Sequence, residues 1–168
     1  MSTRSKAELI EFNVEIARAN LSIRQTVQSR FDLDISRKML IADTRNAINM
    51  ATDFDDRDLN SNFEYDSDAY QAVERNFARP IRMGRHAEVM ELAVELMRGG
   101  SRQVEGSDEG MMTHEIEACL GVVIKALRKG IVPASGVVAW CDQMVRSDRV
   151  GFICDEQLRA LRKEFARA

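Results

Sequence analysis

The chain is poor in the residues that build β-sandwiches, disulfide frameworks and catalytic sites. Its 168 residues include two prolines, two histidines and three cysteines, and aromatic residues make up only 6%. Cys119, Cys141 and Cys154 form no CxxC pair and are odd in number. This usage is typical of free thiols in a reducing compartment, so we expect a cytoplasmic protein.

Long apolar runs and an excess of one charge sign are also missing. No apolar stretch approaches the roughly 20 residues of a membrane span, and the first residues lack the apolar segment of a signal peptide. The net charge is −3. Without a basic stripe the chain lacks the electrostatic footprint of a nucleic-acid binder. We therefore expect neither a membrane nor a nucleic acid as partner.

What the chain does have is apolar residues at steps of three and four, the pattern of amphipathic helices. We predict an all-α fold of six or seven helices. The C-terminal four should pack as antiparallel hairpins, in a bundle or a short HEAT-like array. The predicted helices cover approximately residues 5–30, 35–51, 67–79, 85–98, 113–129, 133–146 and 155–168.

Prolines, glycines and capping residues set the predicted helix boundaries. Pro80 should end the third helix, because the residue before a proline is pushed out of helical geometry. Gly99 and Gly100 should end the fourth helix, since glycine readily adopts the left-handed cap conformation. Thr113 and Asp155 should cap the fifth and seventh helices. Helix spacing also predicts that the sole tryptophan, Trp140, belongs to the core, with an exposed binding anchor as the alternative.

The predicted organisation has three parts. Residues 1–52 form N-terminal helices that could serve as an arm or as an oligomerisation element. Residues 53–68 form an acidic loop, and residues 69–168 form a helical core, which we expect to make one domain with residues 1–52. The apolar stripe of residues 5–30 is too wide for one helical neighbour, which favours either two neighbours or a homo-oligomer.

The acidic loop carries part of a calcium-binding pattern. Oxygen-bearing side chains alternate as they do in a calcium loop, at Asp56, Asp58, Asn60 and Asn62. Ser61 stands where the pattern needs glycine, and Ser67 stands where it needs a bidentate glutamate. We therefore predict a solvated linker without a metal site.

A basic cluster surrounds the start of the fourth helix. Its members are Arg79, Arg82, Arg85 and His86. Guanidinium groups bind phosphate well, and a helix N-terminus attracts anions. The cluster is the best predicted anion or partner surface, with exposed side chains. The alternative is ordinary surface pairing with acids such as Glu88 or Asp66.

The loop before the fifth helix is a second candidate for contact with a partner. It contains Asp108, Glu109, Met111 and Met112. Exposed methionines would form an adaptable binding surface. The alternative is that both methionines fold back under the fifth helix as a hydrophobic staple.

The sequence contains no motif that predicts a catalytic, metal-binding or cofactor-binding residue. His114 and Glu115 begin an HExxH pattern, but Ala118 occupies the position of the second histidine. Three functional classes follow. We expect a non-enzymatic helical module that binds a protein partner or regulates one. The first alternative is a regulator that binds an anion or nucleic acid through the arginine cluster. The second is an enzyme whose site is assembled from distant residues.

Overall fold

The computed structural model describes residues 6–20, 23, 37–53, 65–108 and 110–167, and these contain seven helices and no strand. The predicted all-α fold is confirmed. The helices are α1 (Lys6–Ala19), α2 (Arg37–Thr52), α3 (Ser67–Arg82), α4 (His86–Gly106), α5 (Thr113–Leu127), α6 (Ala134–Ser147) and α7 (Asp155–Phe165). Asp56, Asp58, Asn60 and Asn62, which carry the partial calcium pattern, lie outside the described residues.

The chain divides into two compact units, Met1–Arg37 and Lys38–Ala168. In the first unit, the predicted continuous helix over residues 5–30 is wrong, because α1 ends at Ala19. Asn20 follows α1, and its side-chain oxygen accepts the backbone N–H of Ile23 at 3.1 Å. The predicted oligomer through residues 5–30 stays a prediction.

The second unit is a bundle built around α3, α4 and α5. Helix α3 packs against α5 and α4, while α4 packs against α5 and α6. The two C-terminal hairpins, α4 with α5 and α6 with α7, form as predicted. Their shared core contains side chains with at most 1% exposure, among them Phe77, Leu96, Ile116, Leu120 and Leu161.

Helix α3 does not end at Pro80, contrary to the prediction. Pro80 is buried inside the helix, which continues to Arg82. The chain turns at Gly84 instead, where φ is +73°. The N–H of Gly84 donates to the carbonyl of Ile81, and the N–H of Arg85 donates to the carbonyl of Pro80. These two hydrogen bonds form a Schellman motif. Together with the burial of Pro80, they outweigh the tendency of proline to end a helix.

Helix α4 also continues through its predicted end. Gly99 and Gly100 lie inside it, and the helix extends to Gly106. A Cβ atom on Gly99 would lie 2.7 Å from Oγ1 of Thr52, and one on Gly100 would lie 2.8 Å from Cδ1 of Ile116. The two glycines therefore allow α2 and α5 to approach α4 closely, a packing role that a local sequence signal does not reveal.

Two predicted caps are wrong by one residue. Met112 precedes α5, and the hydroxyl of Thr113 donates to the carbonyl of Gly110 at 2.7 Å instead of capping the helix. Cys154 precedes α7 with a positive φ of 54°. Its N–H donates to a carboxylate oxygen of Glu117 at 3.0 Å, which attaches the turn before α7 to α5.

Candidate binding groove

Helices α4 and α6 lie side by side and run in the same direction. In the second turn of α4 and at the middle of α6, the indole N–H of Trp140 donates to the carbonyl of Met90 at 2.9 Å. Further along both helices, the hydroxyl of Ser101 donates to the carbonyl of Ser147, the last residue of α6, at 3.2 Å. Trp140 is only 3% exposed, which confirms its predicted place in the core.

A groove of about 790 Å³ follows these two helices, and we call it the α4–α6 groove. Its apolar lining includes Met90, Val94, Val132, Gly136, Ala139 and Trp140. Gly136 and Ala139 present little side chain from α6, which leaves room above Trp140. Ile131, at the entrance to α6, is 61% exposed, so the groove offers apolar surface to solvent along one wall.

The acidic wall of the groove is partly neutralised by α2. Glu91 and Glu95 line this wall on α4. Arg45 of α2 donates two hydrogen bonds to Glu95, at 2.6 and 2.7 Å. This bidentate pair, together with the charge of Glu91, raises the pKa of the Arg45 guanidinium. The pair joins α2 to the outer edge of α4.

The other end of the groove is basic. A second cavity of about 400 Å³ is lined by Arg98, Gln143, Arg146, Ser147 and Arg149, which we call the arginine end. Arg98 and Gln143 also line the α4–α6 groove, so the two cavities adjoin.

The three cations at the arginine end differ in their pairing. Arg149 forms an ion pair with Glu105 at 2.5 Å. Within the described part of the chain, Arg98 and Arg146 are exposed and take part in no ion pair. Two cationic side chains beside one cavity are thus available to a negatively charged ligand.

The predicted cluster of Arg79, Arg82, Arg85 and His86 is divided by the fold. Only Arg82 is fully exposed; Arg85 is half-buried, and Arg79 and His86 are buried, so the expectation of an exposed surface is wrong for these two. The reason is that Arg79 lies on the buried face of α3. His86 lines one end of the α4–α6 groove, whereas none of the three arginines does.

The second predicted surface is also largely internal. Met112 is fully buried and Met111 packs against the core, as the staple alternative proposes. Asp108 is exposed, and Glu109 lies outside the described residues. The two methionines therefore stabilise the start of α5 and offer little surface to a partner.

The three thiols lie in the core. Burial is the main cause that raises the pKa of Cys119 to about 12, of Cys141 to about 11 and of Cys154 to about 12. Cys119 also donates to the carbonyl of Tyr70 at 3.3 Å. A thiol that stays protonated at neutral pH is a poor nucleophile and a poor metal ligand.

Sequence reasoning missed both parts of the groove. Met90 and Val94 have the four-residue spacing of an ordinary core face, and Val94 is only 4% exposed, so the sequence carried no signal that Met90 is partly exposed. Arg98 lies far from Arg146 and Arg149 in sequence, and Arg146 alone is typical of a basic residue in the last turn of a helix. The only local signal was the apolar pair Ile131–Val132 in an otherwise polar turn.

Comparison with known proteins finds no matching family model, no matching curated protein and no matching solved structure. None of the helices among the described residues is long and apolar enough to span a membrane. Within the same residues, no three histidine, cysteine, aspartate or glutamate side chains are grouped so that they could hold a metal ion.

Proposed function

We propose that this chain is a non-enzymatic protein–protein interaction module that binds a segment of a partner protein in the α4–α6 groove. The observation that supports this function is the groove itself, with an apolar floor along two parallel helices. Its volume lies within the range of about 300–1,000 Å³ that is typical of ligand sites. A groove between two helices suits a third helix, whose apolar face can pack along it.

The distribution of reactive groups also favours binding over catalysis. The thiols are buried in the core with raised pKa values, which makes them unreactive at neutral pH. Apolar side chains of α4 and α6 line much of the groove, and the indole N–H of Trp140 is already bonded to Met90. The groove therefore offers apolar packing surface beside charged side chains such as Glu91 and Arg98.

A selection from a displayed peptide library tests this function. The library should present random peptides of about 20 residues, long enough for a helix of about 30 Å. We expect selected peptides to lose at least about tenfold in affinity for Ala139→Trp, because an indole at this position fills the groove. Ala160→Trp, which adds the same side chain to an exposed alanine of α7, should bind as the unchanged protein does. Equal affinity for both variants would reject the groove as the binding site.

A second candidate function is an anion-dependent regulator that uses the turn between α3 and α4. Within the described residues, Nη1 of Arg85 and Nδ1 of His86 are buried and have no hydrogen-bond partner. Buried polar atoms are usually paired, and Nη1 of Arg85 can only donate, so an acceptor such as phosphate or a carboxylate would provide its missing partner.

Thermal unfolding in the presence of inorganic phosphate tests the second candidate. A ligand that binds only the folded state raises the melting temperature. We expect phosphate to raise it for the unchanged protein and for Arg75→Ala, an exposed control on α3, but not for Arg85→Ala. If phosphate raises it equally in all three proteins, the corner does not bind anions.

A further inference from the structure

The α4–α6 groove and the arginine end adjoin, so that apolar side chains line one part of the combined surface and arginines line the other. Gln143 and Arg98 line both cavities, so an occupant of the groove that extends beyond Trp140 reaches the arginines. We infer that the occupant is an amphipathic helix of a partner protein, with acidic residues at the end that contacts Arg98, Arg146 and Arg149. This inference rests on the proposed function and names the chemistry of the partner.

Charge complementarity is the first argument for acidic residues. Arg149 has Glu105 as its partner, whereas no described acid forms an ion pair with Arg98 or Arg146. Asp142 is bonded to Arg162, which is the main cause that lowers the pKa of this carboxyl, and the charge of Arg146 helps to lower it. A planar guanidinium group favours a carboxylate, with which it can form two parallel hydrogen bonds. The acids Glu88, Glu91 and Glu95 line the other part of the groove, and Glu95 is paired with Arg45. The second cavity is lined by three arginines and by no acid, so positive charge is in excess at the arginine end.

The direction of the helices is the second argument. Because α4 and α6 run in parallel, a helix that lies antiparallel to both would begin near Arg146, in the last turn of α6. Acidic side chains are favourable in the first turn of a helix, where they complement its dipole. Acidic residues in the first turn of the partner helix would thus complement its own dipole and bind the arginine end. The apolar residues that follow would pack over Val94 and Val132.

Two synthetic peptides of about 20 residues test the inference, each a helix with leucine at the spacing of one face. They differ only in the first turn, which holds glutamates in one and lysines in the other. Neither contains tryptophan, so the fluorescence of Trp140 reports binding in the groove. We expect the glutamate peptide to bind about tenfold more tightly, and the ratio to fall at high salt.

Charge reversal of the two arginines that form no ion pair, Arg98 and Arg146, gives the sharper test. Arg98→Glu with Arg146→Glu should reverse the preference, so that the lysine peptide binds more tightly. Arg75→Glu with Lys163→Glu makes the same change of charge on exposed residues of α3 and α7 and should leave the preference as it is. Circular dichroism of both double variants confirms that they are folded. Arg98→Gln with Arg146→Gln, which should abolish the preference, replaces the reversal if that variant unfolds.

The outcomes separate this inference from the proposed function. If both peptides bind equally and Ala139→Trp weakens both, the groove binds helices but the acidic partner is wrong. If the charge-reversed variant keeps the preference for the glutamate peptide, the arginine end does not recognise it, and the inference is also overturned. If neither peptide binds, the inference fails, whereas peptides selected from the library still decide the proposed function.

Discussion

Each of the three thiols is shielded by the core, and this affects the stability of the fold at alkaline pH. In the unfolded chain a cysteine ionises near its ordinary pKa of 9.0, but in the folded state the pKa is about 11 for Cys141 and about 12 for Cys119 and Cys154. Above pH 9 the unfolded state therefore loses protons that the folded state keeps. The stability is fully present below this pH and falls as the pH rises towards the folded-state values.

We predict that the free energy of unfolding decreases between about pH 9 and about pH 11, by about 1.4 kcal/mol per pH unit for each thiol that ionises only on unfolding. Urea unfolding at several pH values measures this slope. Cys119→Ala removes one thiol and should have a shallower slope than the unchanged protein. Equal slopes in the two proteins would show that the ionisation of Cys119 does not contribute to the loss of stability at alkaline pH.

Arg79 and Arg82 differ in burial although both lie near the end of α3. Arg79 is 8% exposed, whereas Arg82 is exposed. We predict that Arg79→Ala lowers the free energy of unfolding by about 1–3 kcal/mol, because the aliphatic stem of a buried arginine packs against its neighbours. Arg82→Ala should change it by less than about 0.5 kcal/mol. Urea unfolding of both variants measures the difference, and similar losses would contradict the structural role of Arg79.

At the level of the helices, three glycines inside α4 and α5 serve as a matched set. A Cβ atom at Gly99 would collide with the side chain of Thr52, including its Cβ at 2.9 Å, while one at Gly121 would meet nothing within 4 Å. At Gly100 the nearest atom is the flexible end of Ile116. The cost of an added methyl group therefore depends on which neighbouring helix it faces.

We predict that Gly99→Ala destabilises the protein by about 1–3 kcal/mol, since α2 must move away from α4. Gly100→Ala should cost less, because the side chain of Ile116 can adjust. Gly121→Ala should stabilise the protein by about 0.5–1 kcal/mol, as alanine favours a helix over glycine. Thermal unfolding of the three variants gives the order of their stabilities. Destabilisation by Gly121→Ala would contradict the open space at this position.

These same elements mark what the sequence could predict. Apolar periodicity identified the helices, because a helix that buries one face needs an apolar residue at every third or fourth position. Their ends were harder to predict: Pro80 and Gly99 carry strong local signals, but burial of Pro80 and close packing of α2 override them. The groove was out of reach for a related reason, since Val94, Val132 and Arg146 meet only after α4 and α6 are placed side by side.

The two compact units of the chain, which divide after Arg37, differ in how many residues they contribute to the hydrophobic core. The residues in Lys38–Ala168 include the core and both cavities. In the N-terminal unit, Ile10, Phe12 and Val14 are between 41 and 59% exposed. Large exposed apolar side chains close together are typical of surfaces that associate.

We predict that residues 38–168 fold alone and remain monomeric, whereas the full chain self-associates through residues 5–30. Circular dichroism of the shortened chain should show a cooperative helical unfolding transition. Light scattering should give a larger mass than one chain for the full-length protein only. A full-length monomer would contradict the association, and an unfolded 38–168 fragment would contradict the independence of its core.

Amide chemical shifts can show whether a partner helix binds between α4 and α6. A peptide selected from the library should be titrated into the isotope-labelled protein. We predict that the largest shift changes fall in residues 86–98 and 131–149, with the indole N–H of Trp140 among them. Changes confined to α3, α5 or α7, with these segments unaffected, would contradict it.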